Sequence, residues 1–273
     1  MIEPTSTVPG ASGQQPSIPD SSVPPVVLVA GANGGIGSAV AAELAAAGAR
    51  LHLGYHREHQ AVDEVVDEVV ARGRGDSVTA GRVDACDRNS VQRWMATALE
   101  AHGTVNALVS CVGTALPPVP FLNQDPADWR RILAVELEAV LTLTHVVAPS
   151  LIAGGGGRIA VLSSDSGRAG ATGQVVSSAA RGGVNALCKA LARELARSGV
   201  TVNAVCPGPV AGAALDRLQG SSSGAVSAVV RAIPIRRVTT AQEVAAVFRF
   251  LVMDHAAAIT GQLISVNGGL SMA

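Results

Sequence analysis

The chain has 273 residues, enough for one large domain with a sheet covered on both faces. Lys and Arg number 20 against 21 Asp and Glu, a formal net charge of −1, so no broad basic field exists to draw nucleic acid or an anionic membrane, and neither partner is expected. Aromatics are only 2%, no apolar run reaches the roughly eighteen residues of a membrane span, and Cys86, Cys111, Cys188 and Cys206 lack metal-ligand spacing. No metal is therefore expected, no disulfide staple is needed, and a cytoplasmic location is the default.

Residues 1–25 are rich in Pro, Ser and Gly, with neither the charged start nor the apolar centre of a signal peptide, and read as a disordered tail. From Val26 to Gly37 the sequence VVLVAGANGGIG takes four strand-forming residues into a turn carrying Gly31, Gly34, Gly35 and Gly37, and an Ala-rich helix follows to about Ala47. Glycines there permit unusual backbone angles and close approach of a ligand to the main chain. The helix that follows aims free N–H groups and the positive end of its dipole at the turn, which suits a phosphate. Such a turn alone also serves as a plain strand-to-helix connection.

Apolar runs then alternate between strand-like and helical, the pattern of a parallel sheet with right-handed crossovers. Leu51–Leu53 reads as strand two, residues 58–72 as a helix with Val62, Val65, Val66, Val69 and Val70 inward, and Ser77–Val83 as strand three. Ser90–His102 is a third helix and Asn106–Ser110 strand four. Asp125 caps a long helix to about Leu151, ended by the glycines at 154–157. Arg158–Leu162 is strand five, Ser177–Ser198 a helix, and Thr201–Val205 strand six. Residues 209–232 offer few anchors and suit a mobile flap, with its part from 211 on shaping a pocket. A helix at Glu243–Met253 and a strand at Gln262–Val266 close an α/β, doubly wound, single-domain Rossmann-type pattern with no internal repeat.

The order of AGANGGIG (30–37), Asp84 after strand three, VSCVG (109–113) after strand four, Ser163-Ser164 ending strand five, CPGPV (206–210) ending strand six and ITGQLISVNGG (259–269) resembles the short-chain dehydrogenase/reductase family over residues 26–273. The runs SDSGRAGATG, RGGVNALCKALAREL and VTVNAVCPGPV are similar to its bacterial branch of acyl-thioester and hydroxyacyl dehydrogenases and FabG-like ketoreductases. The resemblance implies a seven-stranded parallel sheet, a nicotinamide nucleotide across the strand ends, a small-molecule substrate and a homo-oligomer, usually a tetramer. It places the cofactor against Gly31, Asn33, Gly35, Ile36, Gly37, Arg57, Asp84, Ala85, Gly113, Pro207, Gly208 and Val210. Tyr55 stands where NAD enzymes have an acid, and Arg57 is close by, which favours NADP(H) over NAD(H); a plain solvated Arg57 is the competing reading. Asp84 is expected to accept from the adenine amino group or to cap its strand end. Ser110 and Cys111 replace the asparagines usual beside Gly113, and the Thr that often follows the PG motif would fall at Gly212.

The family's catalytic Ser corresponds to Ser164, but its Tyr position is Ser177, its Lys position Arg181 and its Asn position Glu136. A serine hydroxyl is shorter and far less acidic than a phenol near pKa 10, and a guanidinium does not relay protons as an ammonium does. Glu136 either pairs with Arg181 or acts as an acid or base, and Ser164 is left to polarise a substrate oxygen. Asp165 reads as a turn residue. Three functions follow from this pattern. One is an enzyme of non-standard chemistry, such as elimination, isomerisation or cyclisation. The second is a reductase with substituted groups, and the third a silent nucleotide-binding partner of an active relative.

Overall fold

The computed structural model describes residues 23–57, 60–71, 77–114, 116–212, 215, 225–253 and 256–272. Most of the N-terminal tail and much of the expected flap lie outside them. In chain order the elements are β1 (Val26–Ala30), α1 (Gly35–Ala46), β2 (Arg50–Tyr55), α2 (Gln60–Ala71), β3 (Val78–Arg82), α3 (Arg88–His102) and β4 (Ala107–Ser110). The long helix α4 (Pro126–Ala153) comes next, then β5 (Gly157–Leu162), α5 (Ser166–Ala169), α6 (Val175–Leu195), β6 (Val200–Pro207), α7 (Ala225–Ala232), α8 (Ala241–Val252) and β7 (Leu263–Val266). The strands form one parallel sheet of order β3-β2-β1-β4-β5-β6-β7. The chain reverses its direction of sheet growth between β1 and β4, and a crevice opens at such a switch point outside the carboxyl ends of the strands.

The central strands are apolar along their length because both faces are covered. On β1, Val27 and Val29 pack with α1, α2 and α8 through Leu44, Val62 and Phe248. Val26 and Leu28 face the other way, onto α3, α4 and α6 through Trp94, Leu143 and Val184. Alternation along one strand thus divides the core into two layers. Burying a side chain such as Leu44 or Leu143 contributes on the order of 2 kcal/mol.

Several elements differ from the sequence reading. Val70 is 47% exposed while Val62, Val65 and Val69 are buried, because at 100° per residue it falls off the stripe that the other three define. α5 and α7 were not expected; both are short. In the expected flap, Val210 bridges Thr239 and Leu215 is buried, so these two points are anchored. α4 begins as expected, with the Asp125 side chain accepting from the Ala127 N–H at 2.8 Å and Pro126 in the first turn. It is long and apolar enough, by length and composition alone, to cross a membrane, which corrects the expectation that no segment reaches that length. Val140, Leu143, Val147 and Leu151 are fully buried against the sheet, so in this fold its apolarity is that of a core helix. One turn of α4, Ala134–Glu138, is a π turn. The extra residue rephases the side chains there, and such turns recur at functional sites.

A polar knot lies under Trp94. The Thr79 hydroxyl is 2.8 Å from both His52 Nδ1 and His102 Nε2 and 3.4 Å from the Leu51 carbonyl; with a single proton it donates to only one of the three, so at least one ring nitrogen donates to it. Burial, and then the neighbouring His102, holds His52 down at about 4. His102 is lowered too, by burial and then by Arg50. A folded-state pKa below the unfolded value means that the unfolded chain binds more protons between them, so stability is present above pH 6.5 and lost as pH falls through about 4. For His52 the difference amounts to about 3 kcal/mol. In urea denaturation followed from pH 7 to pH 4, the native chain should lose about that much more stability than His52→Gln.

Candidate active site

The turn after β1 is shaped by glycine. Gly31 has φ +78° and lies against the Cys111 carbonyl, and a Cβ on Gly37 would collide with the Gly31 carbonyl oxygen, so α1 starts this close to β1 only with glycine at both places. Space around Gly35 is open, with nothing within 4 Å of a Cβ built there. Gly34 gives α1 no side-chain cap, and the N–H groups of Gly35, Ile36 and Gly37 have no backbone acceptor among the described residues. Those donors at a helix N-terminus form an anion cradle beside half-buried Asn33. The Ile36 side chain instead packs into the core.

At the ends of β2 and β3 the register sets Tyr55 beside Arg82. Arg57 is exposed there, and Arg82 Nε donates to the His56 carbonyl at 3.1 Å. Asp84 divides its oxygens: Oδ1 accepts from the Cys86 N–H at 3.0 Å and so caps its own turn, while Oδ2 lies 3.5 Å from His56 Nε2. Ala85 packs against the core. Three side chains that carry or can take positive charge, His56, Arg57 and Arg82, therefore share this rim. His56 and Arg82 were missed by sequence reading, although the pairing of β2 with β3 was the signal that would have found Arg82. At the far side, Pro207 ends β6, the Gly208 N–H donates to the Val266 carbonyl at 3.2 Å, and Val210 is bridged to Thr239. This loop is thereby stitched to β7 and to the start of α8.

Between these lies a buried charge cluster. The π turn carries Glu136 inward, where it is 2% exposed. Its Oε2 is 3.2 Å from Arg181 Nε and accepts from the Ser177 hydroxyl at 2.6 Å. Its Oε1 accepts from the Thr114 N–H at 3.1 Å and from the Thr114 hydroxyl. Arg181, 5% exposed, also donates through Nη1 to the Leu162 carbonyl at 2.6 Å and through Nη2 to the Val112 carbonyl at 3.4 Å. Gly113 must be glycine beneath this side chain, since a Cβ would strike Arg181 Nη2. Ion pairing, one of the two readings left open for Glu136, is what the geometry contains, and both lone-pair regions of the carboxylate are occupied by donors. Thr114 was not expected in the cluster. Its role depends on how the loop after β4 approaches α4, which no local pattern encodes.

Ser164 stands apart from that cluster. Its oxygen accepts from the Ser166 N–H at 3.1 Å and from the Ser166 hydroxyl at 3.0 Å, which leaves its own proton for another acceptor. Asp165 is buried and ties β5 to β7 by accepting from the Ser265 hydroxyl at 2.7 Å and from the Asn267 amide. It is an anchor. Burial pushes the Cys111 thiol up to about 12, so it is neutral and a poor nucleophile. A cavity of about 260 Å³ opens beside the cluster, with Thr114, Glu136 and Ser177 on one side and Leu116, Val119 and Ile132 among the others.

The sheet order, the glycine turn at its switch point and the residues gathered at the ends of β4 and β5 define a Rossmann-type α/β protein. A family model described as enoyl-(acyl carrier protein) reductase matches residues 30–271. The chain is 35% identical over 248 residues to the 3-oxoacyl-(acyl-carrier-protein) reductase of Synechocystis, covering 90% of this chain and 97% of that one. It is 32% identical over 248 residues to the acetoacetyl-CoA reductase of Allochromatium vinosum, covering 90% and 98%. Among solved structures, a short-chain type dehydrogenase/reductase from Mycobacterium ulcerans superposes with a TM-score of 0.85 at 26% identity, over 90% of this chain and 89% of that one. The chain belongs to the short-chain dehydrogenase/reductase family.

The charge cluster sets a stability test. Arg181→Met strands a buried carboxylate and should cost about 3–5 kcal/mol in urea denaturation. Adding Glu136→Leu to it should restore a large part of that loss, because both charges are then gone.

Proposed function

We propose that the chain is an atypical member of its family that binds NADP(H) in preference to NAD(H). On this reading it acts on a carbonyl- or hydroxyl-bearing small molecule or acyl thioester, in biosynthetic metabolism, by elimination, isomerisation or cyclisation. The observation that carries this reading is the Glu136 carboxylate held by Thr114, Ser177 and Arg181 on the wall of a cavity, in a chain whose one tyrosine, Tyr55, ends β2. The names of the relatives support work on acyl carbonyl compounds. Residues 26–273 are read as one nucleotide-binding and catalytic domain. The protein is placed in the cytoplasm as a homotetramer or dimer, to which the exposed Leu141 and Ile152 of α4 and Leu270 and Met272 near the C-terminus offer apolar contact.

The fit to the cofactor is good at its phosphate end. The uncapped N–H groups of Gly35–Gly37 suit a pyrophosphate, and Arg57 with His56 and Arg82 suits a 2′-phosphate. Asp84 Oδ2, which lies 3.5 Å from His56 Nε2, is shared between that contact and the adenine, and Gly113, Pro207, Gly208 and Val210 border the other half. A bound nicotinamide supplies a hydride donor or acceptor in this family. Elimination makes no use of it. On this reading the Ser164 hydroxyl donates to a substrate carbonyl oxygen, and Glu136, once the Thr114 hydroxyl turns away from Oε1 and frees a lone pair, takes the proton from the carbon beside that carbonyl, with negative charge gathering on the oxygen facing Ser164. The carbon–oxygen bond to a β-hydroxyl then breaks, and the proton on Glu136 leaves with it as water. Ser177 and Thr114 aim the carboxylate, and Arg181 pairs with it. A second reading, a nucleotide-binding subunit without turnover, is favoured by the commitment of the Arg181 guanidinium to Glu136 and two carbonyls.

In fluorescence titrations NADPH should bind more tightly than NADH, and Arg57→Ala with Arg82→Ala should weaken NADPH by about tenfold or more while leaving NADH unchanged. With simple β-hydroxyacyl thioesters, enone absorbance should grow, and Glu136→Gln should slow it at least ~100-fold. Sustained oxidation of NADPH by β-ketoacyl thioesters would overturn the non-redox assignment in favour of a reductase. No turnover of either kind, with nucleotide still bound, would leave the silent subunit.

A further inference from the structure

We infer that the Ser177 hydroxyl, with Glu136 as its base and Arg181 orienting that base, forms a nucleophilic centre for acyl transfer, which hydrolyses thioesters of small acyl groups without use of a nucleotide. The inference goes beyond the proposed function and takes from it only the class of substrate.

A serine is a weak nucleophile until a base stands within hydrogen-bond reach, and that base must itself be held by a third group. All three parts are present. Ser177 Oγ donates to Glu136 Oε2 at 2.6 Å, and Arg181 Nε lies 3.2 Å from the same oxygen. Thr114 fixes the other oxygen through its N–H at 3.1 Å and its hydroxyl. The carboxylate is therefore locked with one oxygen toward the serine proton, and that proton can pass along the bond already made, with no lone pair to be freed first. Ser177 and Glu136 both line the cavity, and Ser177 is only half-buried, so an acyl carbon can reach Oγ. Ser177 also stands in the first turn of α6, a helix of 21 residues with no side-chain cap. The N–H groups of Val175, Val176 and Ser177 have no backbone acceptor among the described residues, and Gly173, Gln174 and Ser177 carry this end of the helix along the cavity wall. Free donors and the positive end of the helix dipole stabilise negative charge that develops on an acyl oxygen there. Oγ bonds to the acyl carbon as its proton passes to Oε2; the carbon–sulfur bond then breaks, and the departing sulfur takes the proton from Glu136 and leaves as a thiol. Water next adds to the acyl ester on Ser177 and gives its proton to Glu136, and collapse returns that proton to Oγ as the carboxylic acid departs. A carboxylate is a weaker base than an imidazole, so the centre suits thioesters, whose leaving groups depart readily, and spares amides. The cavity, of about 260 Å³ with Leu116, Val119 and Ile132 among its walls, takes a short acyl chain.

The test uses the full chain without nucleotide and the butyryl thioester of N-acetylcysteamine, which carries neither a ketone to reduce nor a β-hydroxyl to eliminate. Butyrate release, followed by proton NMR, should exceed the rate in buffer, and Ser177→Ala should lower the enzymatic rate at least about 100-fold. An ethyl fluorophosphonate, which labels activated serines, should add to Ser177, as mapped by mass spectrometry, and Glu136→Gln should slow that labelling by a similar factor. If Glu136→Gln does not fold, the native chain and Ser177→Ala decide alone, since Ser177→Ala leaves the ion pair in place. No butyrate release above buffer overturns the inference, as does release unchanged in Ser177→Ala or the absence of label from Ser177. The two claims part on their products. Butyrate release with no enone from β-hydroxyacyl thioesters sinks the elimination and spares this inference, and enone growth with no butyrate release does the reverse.

Discussion

A single buried contact, the Arg181 guanidinium against the Glu136 carboxylate, organises the cleft. Two charges out of water are tolerated only when their remaining lone pairs and protons are satisfied, and here the surroundings are built to do that. Thr114 and Ser177 complete the carboxylate, the Leu162 and Val112 carbonyls take up the guanidinium, and Gly113 makes room for it. The pair and the groups around it come from four elements: the loop after β4, the π turn of α4, the end of β5 and the first turns of α6. The pair thus works as a cross-brace over the carboxyl ends of the central strands.

That brace changes what chemistry the cleft supports. A phenol beside an ammonium can serve as a proton donor, whereas here a carboxylate is held in place by a guanidinium, which does not relay protons as an ammonium does. The Ser164 oxygen accepts from both Ser166 donors, which leaves its own proton for another acceptor. The glycine turn of β1 and α1 is untouched by these changes, since it depends only on backbone geometry near Gly31 and Gly37.

How much of this was legible in the sequence follows from the range of the forces involved. Strands β1, β4, β5 and β6 were readable because a sheet buried on both faces requires unbroken apolar runs, and the α4 cap was readable because Asp125-Pro126 acts within three residues. Val70 was misassigned for a local reason too, since a run of valines blurs which of them lies on the stripe. The π turn and Thr114 were not legible. Both are set by how the β4 loop and α4 meet, a tertiary matter with no periodicity. The sequence positions of Glu136, Ser177 and Arg181 pointed to one cleft, but whether carboxylate and guanidinium would face each other depended on the rephasing of α4 by one residue.

The same rephasing links the brace to the cavity. Glu136 is turned inward against Arg181, while Asp125 and Asp128, exposed and ahead of the π turn, sit at the N-terminal end of a helix whose dipole favours them there. A carboxylate at the first turn is cheap for α4 to keep. The start of α4 thus follows from its cap and dipole, and the placing of Glu136 from the way its third turn widens.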